Sequence, residues 1–271
     1  MKKNLRGYFR FFLFIVLVLF YLTRYLIGAL FKGRDLKRGL NYRLKFAHAI
    51  RKVIGVDIEV KGSPPDHPAL YVGNHRTYYD PGGVSLDVPM SVVVAKAEIR
   101  DWPLIGYATD FIGIIFVDRN NPDSRKATRV AMADALERGF SVLIYPEGTT
   151  GDRPTTLPFS PGTFAMAVKM GVPIVPIAME YKHPADAWIS RTQSFASHYI
   201  QTYSKKRTPV KIRYGEPMFD ENVETFMAKV KAWIDENLLE IQAEFGGVAW
   251  ESKVDDILKQ KALEQAKKAA S

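Results

Sequence analysis

The chain has 271 residues, enough for one large α/β domain or two small ones. It contains no cysteine, which excludes disulfides and thiolate metal sites as supports of the fold. The net charge of +9 is not a nucleic-acid footprint. Residues 1–45 hold eleven Lys/Arg and one acidic residue, Asp35, whereas the rest holds 27 Lys/Arg and 28 Asp/Glu, so the basic excess is confined to the N-terminus.

That N-terminal segment is membrane-directed. Phe11 to Leu22 is an unbroken apolar run; Thr23 and Arg24 interrupt it, and Tyr25 to Phe31 resumes it. The whole run of 21 residues just reaches across a hydrocarbon core, and Arg24 leaves open whether it spans or lies shallow in the interface. Lys2, Lys3, Arg6 and Arg10 precede it, and Lys32, Arg34, Lys37, Arg38, Arg43 and Lys45 follow. The larger count after the run places the globular part on the cytoplasmic side, and the same residues suit anionic headgroups. A cleaved signal would need small residues after the run, and Thr-Arg-Tyr stands there instead.

From residue 41 the pattern is α/β. A helix over Asn41 to Val53 leads into a half-exposed strand, Val56 to Val60, and then a buried one, Ala69 to Gly73. At its mouth stands Asn74-His75-Arg76-Thr77-Tyr78-Tyr79-Asp80. A separation of five residues brings His75 to Asp80 on neither a strand nor a helix, so their meeting needs a bend, and Pro81-Gly82-Gly83 marks one. A His–Asp pair is the minimal general-base unit, while a histidine capping a strand end is the plain alternative.

Ser91 to Ala95 reads as a further buried strand. It runs into Lys96-Ala97-Glu98, with Trp102, Pro103 and Gly106 beyond, and Phe111 to Val117 is the next apolar run. It ends in Asp118-Arg119, where an arginine is suited to a phosphate or to a salt bridge with its neighbour. Ser124 to Arg138 is a helix with Ser124 as N-cap, Gly139 at C′, and an apolar face of Ala127, Val130, Ala131, Ala135 and Leu136. Phe140 to Tyr145 is a strand leaving into Pro146-Glu147-Gly148-Thr149-Thr150-Gly151-Asp152, either an anion-binding turn or a plain one. A helix over Ser160 to Met170 precedes Val172-Pro173-Ile174-Val175-Pro176, whose prolines predict an edge segment or tunnel wall rather than a central strand. Pro209 to Tyr214 is the last strand, and Glu221 to Phe245 an amphipathic helix capped by Asp220. Residues 186–208 suggest no role, and Ser252 to Ser271 reads as a frayed helix or disordered tail.

Four of these blocks in order resemble the glycerolipid acyltransferase family, which includes the lysophosphatidic acid acyltransferases: Asn74-His75 with Asp80; Lys96-x-Glu98 with Pro103 and Gly106, continuing to Asp118-Arg119; Pro146-Glu147-Gly148-Thr149; and Val172-Pro173-Ile174-Val175-Pro176. The resemblance covers about residues 40–220. It implies a single α/β domain with a mostly buried central sheet flanked by helices, behind an N-terminal hydrophobic membrane anchor. The expected division is residues 1–40 anchor, 41–250 acyltransferase domain and 251–271 tail. By resemblance His75 is the base and Asp80 its orienting partner. Asn74, Lys96, Arg119, Glu147, Gly148, Thr149 and Arg153 fall to the substrate, with Pro173 and Pro176 on the acyl-chain side. No metal or cofactor is implied, only acyl-CoA or acyl-carrier protein as co-substrate. The partners are membrane lipids and a lysolipid acceptor, not nucleic acid.

One position departs from the pattern. The family commonly continues Glu-Gly-Thr-Arg, and here position 150 is threonine. Arg153 then substitutes, Arg119 suffices, or the acceptor is another lysolipid, since members acylating lyso-ornithine lipids have a similar Glu-Gly-Thr-Thr. A hydrolase would want a Gly-x-Ser-x-Gly elbow or clustered histidines, neither of which is present. A lipid carrier has no use for a His–Asp pair.

Overall fold

The computed structural model describes residues 4–101, 112–189 and 193–247. Trp102, Pro103, Gly106, Phe111 and the expected tail 251–271 lie outside them. The element order is α1 (Leu5–Lys32), α2 (Leu36–Ile54), β1 (Val56–Lys61), β2 (Leu70–Gly73), α3 (Asp80–Val84), β3 (Ser91–Lys96), β4 (Ile114–Val117), α4 (Pro122–Glu137), β5 (Ser141–Ile144), α5 (Gly162–Met170), β6 (Ile174–Tyr181), α6 (Phe195–Thr202), β7 (Thr208–Tyr214) and α7 (Val223–Glu244). The strands form one seven-stranded sheet in the order β1-β7-β6-β2-β5-β3-β4. Among these seven strands the β6–β7 pairing is antiparallel and the other five pairings are parallel.

Alternation along the strands divides the core into two layers. Leu70, Val72, Val92, Val94, Val142, Ile174 and Ala178 face α4, α5 and α7. Tyr71, Val93, Leu143, Val175, Ile177 and Met179 face α2, α3 and α6. On α7 the stripe Phe226, Val230, Ile234, Leu238 and Ile241 is fully buried. Each such side chain stabilises the fold by about 1.5–3 kcal/mol relative to exposure.

Several local expectations need correction. Asn121, not Ser124, caps α4, accepting from the N–H groups of Asp123 and Ser124; Ser124 Oγ accepts instead from the Asp118 N–H. The buried stripe of α4 is Thr128, Met132 and Ala135, a 3.6-residue spacing that leaves Val130 63% exposed. Asn222 caps α7, and Asp220 accepts from the Asn222 N–H and pairs with Lys229. Residues 195–202, assigned no role from sequence, form α6, whose Phe195 and Tyr199 pack on Phe11 and Phe14 of α1.

The largest correction concerns β6. It is central and buried along its length, although Pro176 lies within it. Proline costs a strand its N–H only on the side that the N–H would face. There β7 has just ended: Ile177 pairs with Tyr214, and the Pro176 carbonyl accepts from the Gly215 N–H at 2.9 Å. Gly215 is required at that crossing, because a Cβ would lie 2.7 Å from Pro176 Cγ and 2.8 Å from the Trp233 ring.

Helix α1 is long and apolar enough to cross a membrane. One side of it is built into the domain. Gly7 abuts α6 so closely that a Cβ would lie 2.1 Å from the Ile200 carbonyl oxygen. Arg10 donates to the carbonyls of Tyr203 at 2.8 Å and Lys205 at 2.6 Å, satisfying acceptors freed at the end of α6. Tyr25 is buried against Tyr42 of α2. The other side presents Tyr8, Phe9, Phe12, Val16, Leu19, Phe20, Leu30 and Phe31 outward.

Candidate active site

The five strands β2 to β6 run the same way, and the chain leaves their carboxyl ends on one edge. In open α/β sheets that edge is where ligands bind. His75 follows β2, Lys96 ends β3, Arg119 follows β4 and Glu147 to Thr149 follow β5.

Asn74 continues β2 with its side chain. Its Nδ2 donates to the Met179 carbonyl and its Oδ1 accepts from the Met179 N–H, both at 2.8 Å. This amide, buried in the sheet, splices the loop to β6. Beyond it the chain bends so that the backbone N–H groups of Arg76 (2.5 Å) and Thr77 (2.8 Å) point at Asp80 Oδ2. His75 Nδ1 donates to the same oxygen at 2.8 Å. The carboxylate fixes the Nδ1–H tautomer, leaving the Nε2 lone pair free. Nε2 has no hydrogen-bond partner among the described residues. Asp80 is fully buried, while the His75 side chain is 22% exposed. The imidazole stacks on Tyr145, with centroids 4.4 Å apart and planes at 15°.

Glu147 turns inward. Its Oε1 accepts from the His75 N–H at 2.8 Å and its Oε2 from the Leu157 N–H at 2.7 Å. Burial pushes its carboxyl upward, and those two N–H donors pull it back. Glu147 thus braces the histidine loop. Gly148 adopts φ 74°, and a Cβ there would lie 2.8 Å from an Arg119 guanidinium nitrogen. Arg119 has no salt bridge to Asp118, whose Oδ1 instead accepts from the Asn120 N–H. Burial lowers the Arg119 pKa and nearby Glu98 raises it.

A cavity of about 600 Å³ joins these residues. His75, Lys96, Glu98, Arg119, Gly148, Thr149 and Thr150 form its polar side. Phe14, Val18, Tyr21 and Leu22 of α1, Tyr42, Phe46 and Ile50 of α2, and Tyr199 of α6 form an apolar wall. Among the described residues, neither Lys96 nor Arg119 has a side-chain hydrogen bond or salt bridge, and Glu98 shares the polar side with them, close enough to Arg119 to act on its charge. Arg153 is exposed and away from the lining; its carbonyl accepts from Arg76. Pro173 precedes β6 at the edge opposite His75, and Pro176 is inside the sheet; neither lines the cavity.

Sequence reasoning missed the residues beneath the pair. Tyr181 Oη is 2.8 Å from Asp80 Oδ1 and 2.8 Å from Thr77 Oγ1. Arg76, wholly buried, pairs with Glu180 at 2.8 Å and donates to the carbonyls of Arg153 and Pro154. Gln242 of α7 donates to Pro154 and Glu180. Among the described residues no group of three or more His, Cys, Asp or Glu is arranged to hold a metal ion.

A family model described as Acyltransferase matches residues 57–180. The lyso-ornithine lipid O-acyltransferase of Pseudomonas aeruginosa is 31% identical over 166 residues, 60% of this chain and 64% of that protein. The 1-acyl-sn-glycerol-3-phosphate acyltransferase alpha of Homo sapiens is 31% identical over 175 residues, 63% of this chain and 61% of that protein. The chain thus spans a little under two thirds of the length of these relatives. The crystal structure of the 1-acyl-sn-glycerophosphate acyltransferase PlsC from Thermotoga maritima superposes with a TM-score of 0.68 at 21% identity, covering 89% of this chain and 97% of that one. That likeness gives the fold: a mixed α/β domain behind an apolar N-terminal helix. The residues that carry this loop and cavity edge lie within the stretch, 57–180, that matches the Acyltransferase family model.

Proposed function

We propose that this protein transfers a fatty acyl group from a thioester, acyl-CoA or acyl-carrier protein, to the free hydroxyl of a lysolipid, with 1-acylglycerol-3-phosphate as the acceptor. The observation that carries the reading is a His–Asp pair whose free Nε2 stands beside a cavity apolar on one side and lined on the other by Lys96, Arg119 and Glu98. The acceptor hydroxyl oxygen attacks the thioester carbonyl carbon while His75 Nε2 takes its proton. The C–S bond breaks, and the proton returns to the departing thiolate, leaving an ester and a free thiol. Asp80 stabilises the imidazolium between the two transfers. The apolar wall formed by α1 and α2 holds acyl chain and excludes water, which would otherwise divert the thioester to hydrolysis. Arg119 and Lys96 bind the acceptor's phosphate.

Membrane association follows from α1. Its outward apolar face exceeds what a soluble surface tolerates, and its inward face is fastened to the domain near both ends. The helix therefore lies in the interface with the domain on the cytoplasmic face, and the cavity wall it forms adjoins lipid. The basic residues that follow it face anionic headgroups.

A second acceptor is favoured by one observation: Thr150, buried at the cavity, adds no third cation. A panel of lysolipids incubated with acyl-CoA or acyl-carrier-protein donors tests both readings. Acylation of 1-acylglycerol-3-phosphate is expected. Acylation of lyso-ornithine lipid alone would move the acceptor but keep the reaction, and acylation of none would overturn the reaction.

A further inference from the structure

We infer that Tyr181, the last residue of β6, is a positioning residue that aims Asp80 at the base. The inference rests on the general-base reading of His75. Tyr181 is 1% exposed and 101 residues from Asp80 in sequence, so only the fold brings them together. Tyr181 Oη, Thr77 Oγ1 and Asp80 Oδ1 form a triangle with sides of 2.8, 2.8 and 3.0 Å. Two hydroxyl protons serve three contacts, so Oδ1 receives at least one of them. Thr77 Oγ1 also accepts from the Tyr79 N–H at 2.9 Å, which fixes where its own lone pairs lie. The hydroxyls hold Oδ1 on one side of the carboxylate, and Oδ2 is thereby presented to His75 Nδ1.

The anchor itself is stiff. Tyr181 N–H donates to Glu180 Oε1 at 3.0 Å, and Glu180 is locked to buried Arg76. A neutral donor on Oδ1 also shares the carboxylate's charge, moderating its pull on the imidazolium. Without the hydroxyl, more of that charge falls on His75. The base then holds its proton to higher pH, and the carboxylate gains freedom to rotate.

The other groups facing the pair are unchanged by substitution at 181. Tyr145 stacks on the imidazole, and Glu147 holds the His75 N–H. Burial, and with it the Asp80 charge, raises the Tyr79 and Tyr145 hydroxyls well above their usual range, so both stay neutral beside the pair. Arg76 reaches Asp80 through its backbone N–H, and Lys96, Glu98 and Arg119 share the cavity. Any shift in pH dependence is therefore assignable to Tyr181.

The test is the pH profile of kcat for the full-length protein in mixed micelles, native against Tyr181→Phe, with His75→Ala beside them. Tyr181→Phe should lower kcat by about 3–10-fold, shift the acid limb upward by roughly half a pH unit and leave the acceptor KM unchanged. A profile superimposable on the native one, with His75→Ala inactive, overturns the positioning role alone. Full activity in His75→Ala overturns the base reading and this inference with it. Should Tyr181→Phe not fold, Thr77→Val must show the same upward shift and Thr77→Ser must restore the native limb; failure of either overturns the inference.

Discussion

Asp80→Asn lowers kcat by roughly 10²-fold or more while costing less resistance to urea than Asp80→Ala. The expectation follows from which oxygen does what. Oδ2 faces three donors, the N–H groups of Arg76 and Thr77 and His75 Nδ1, whereas Oδ1 faces two hydroxyls that can accept as well as donate. An asparagine therefore places its oxygen at the Oδ2 position and its NH₂ toward Tyr181 and Thr77. The histidine tautomer is kept, and of the two hydroxyl protons of Tyr181 and Thr77 one passes between them while the other loses its acceptor, at about 1–3 kcal/mol. On the histidine side only the negative charge that stabilises the imidazolium is lost. Asp80→Ala behaves differently, since it leaves two buried backbone N–H groups unpaired at about 1–3 kcal/mol each. Urea unfolding beside steady-state kinetics separates the two variants, and equal destabilisation by both would contradict the arrangement.

Arg76→Met destabilises the fold by about 3–5 kcal/mol, the cost of stranding a buried charge. Arg76 and Glu180 are both wholly buried, and Gln242 is left as the side-chain donor to that carboxylate. Burial pushes the Glu180 carboxyl up, and Arg76 pulls it down. Without Arg76 the folded-state value rises further above the unfolded one. The folded state then binds more protons, and stability falls as pH rises between the two values. The destabilisation should therefore be smaller in acid than at neutral pH, and Glu180→Leu added to Arg76→Met should restore part of it. Denaturant unfolding at several pH values measures this; a pH-independent loss would contradict the ion-pair account. The loop bearing Glu147 to Thr150 should loosen as well, since Arg76 and Gln242 hold the carbonyls of residues 153 and 154.

What was legible in the sequence was local. His75 and Asp80 lie five residues apart with a turn signal beside them, and the structure closes that turn. The strands were legible because buried parallel strands are short, continuous apolar runs. The brace beneath the pair was not, because Tyr181 and Glu180 are ordinary residues of a strand more than a hundred positions away. Nothing in the local pattern marks a tyrosine whose hydroxyl will meet a distant carboxylate. Pro176 misled for a related reason: whether a missing N–H matters depends on where the neighbouring strand stops, and that is a tertiary fact. The caps at Asn121 and Asn222 were misplaced by two or three residues because Ser124 and Asp220 are equally good capping residues chemically, and backbone geometry chose between them. The apolar run, its basic flanks and the Thr-Arg-Tyr after it mark the N-terminal helix as an anchor in the sequence. That α1 also walls the cavity depends on Gly7, Arg10 and Tyr25 meeting partners on α6 and α2.

The most direct test of the account is ester formation by the native protein and by His75→Ala, with 1-acylglycerol-3-phosphate and acyl-CoA in mixed micelles and the diacyl product quantified by mass spectrometry. The account predicts ester and free thiol in equal amounts from the native chain. It predicts a loss of roughly 10²–10⁴-fold in the variant at unchanged urea stability. Ester formation at the native rate by a folded His75→Ala protein would contradict it.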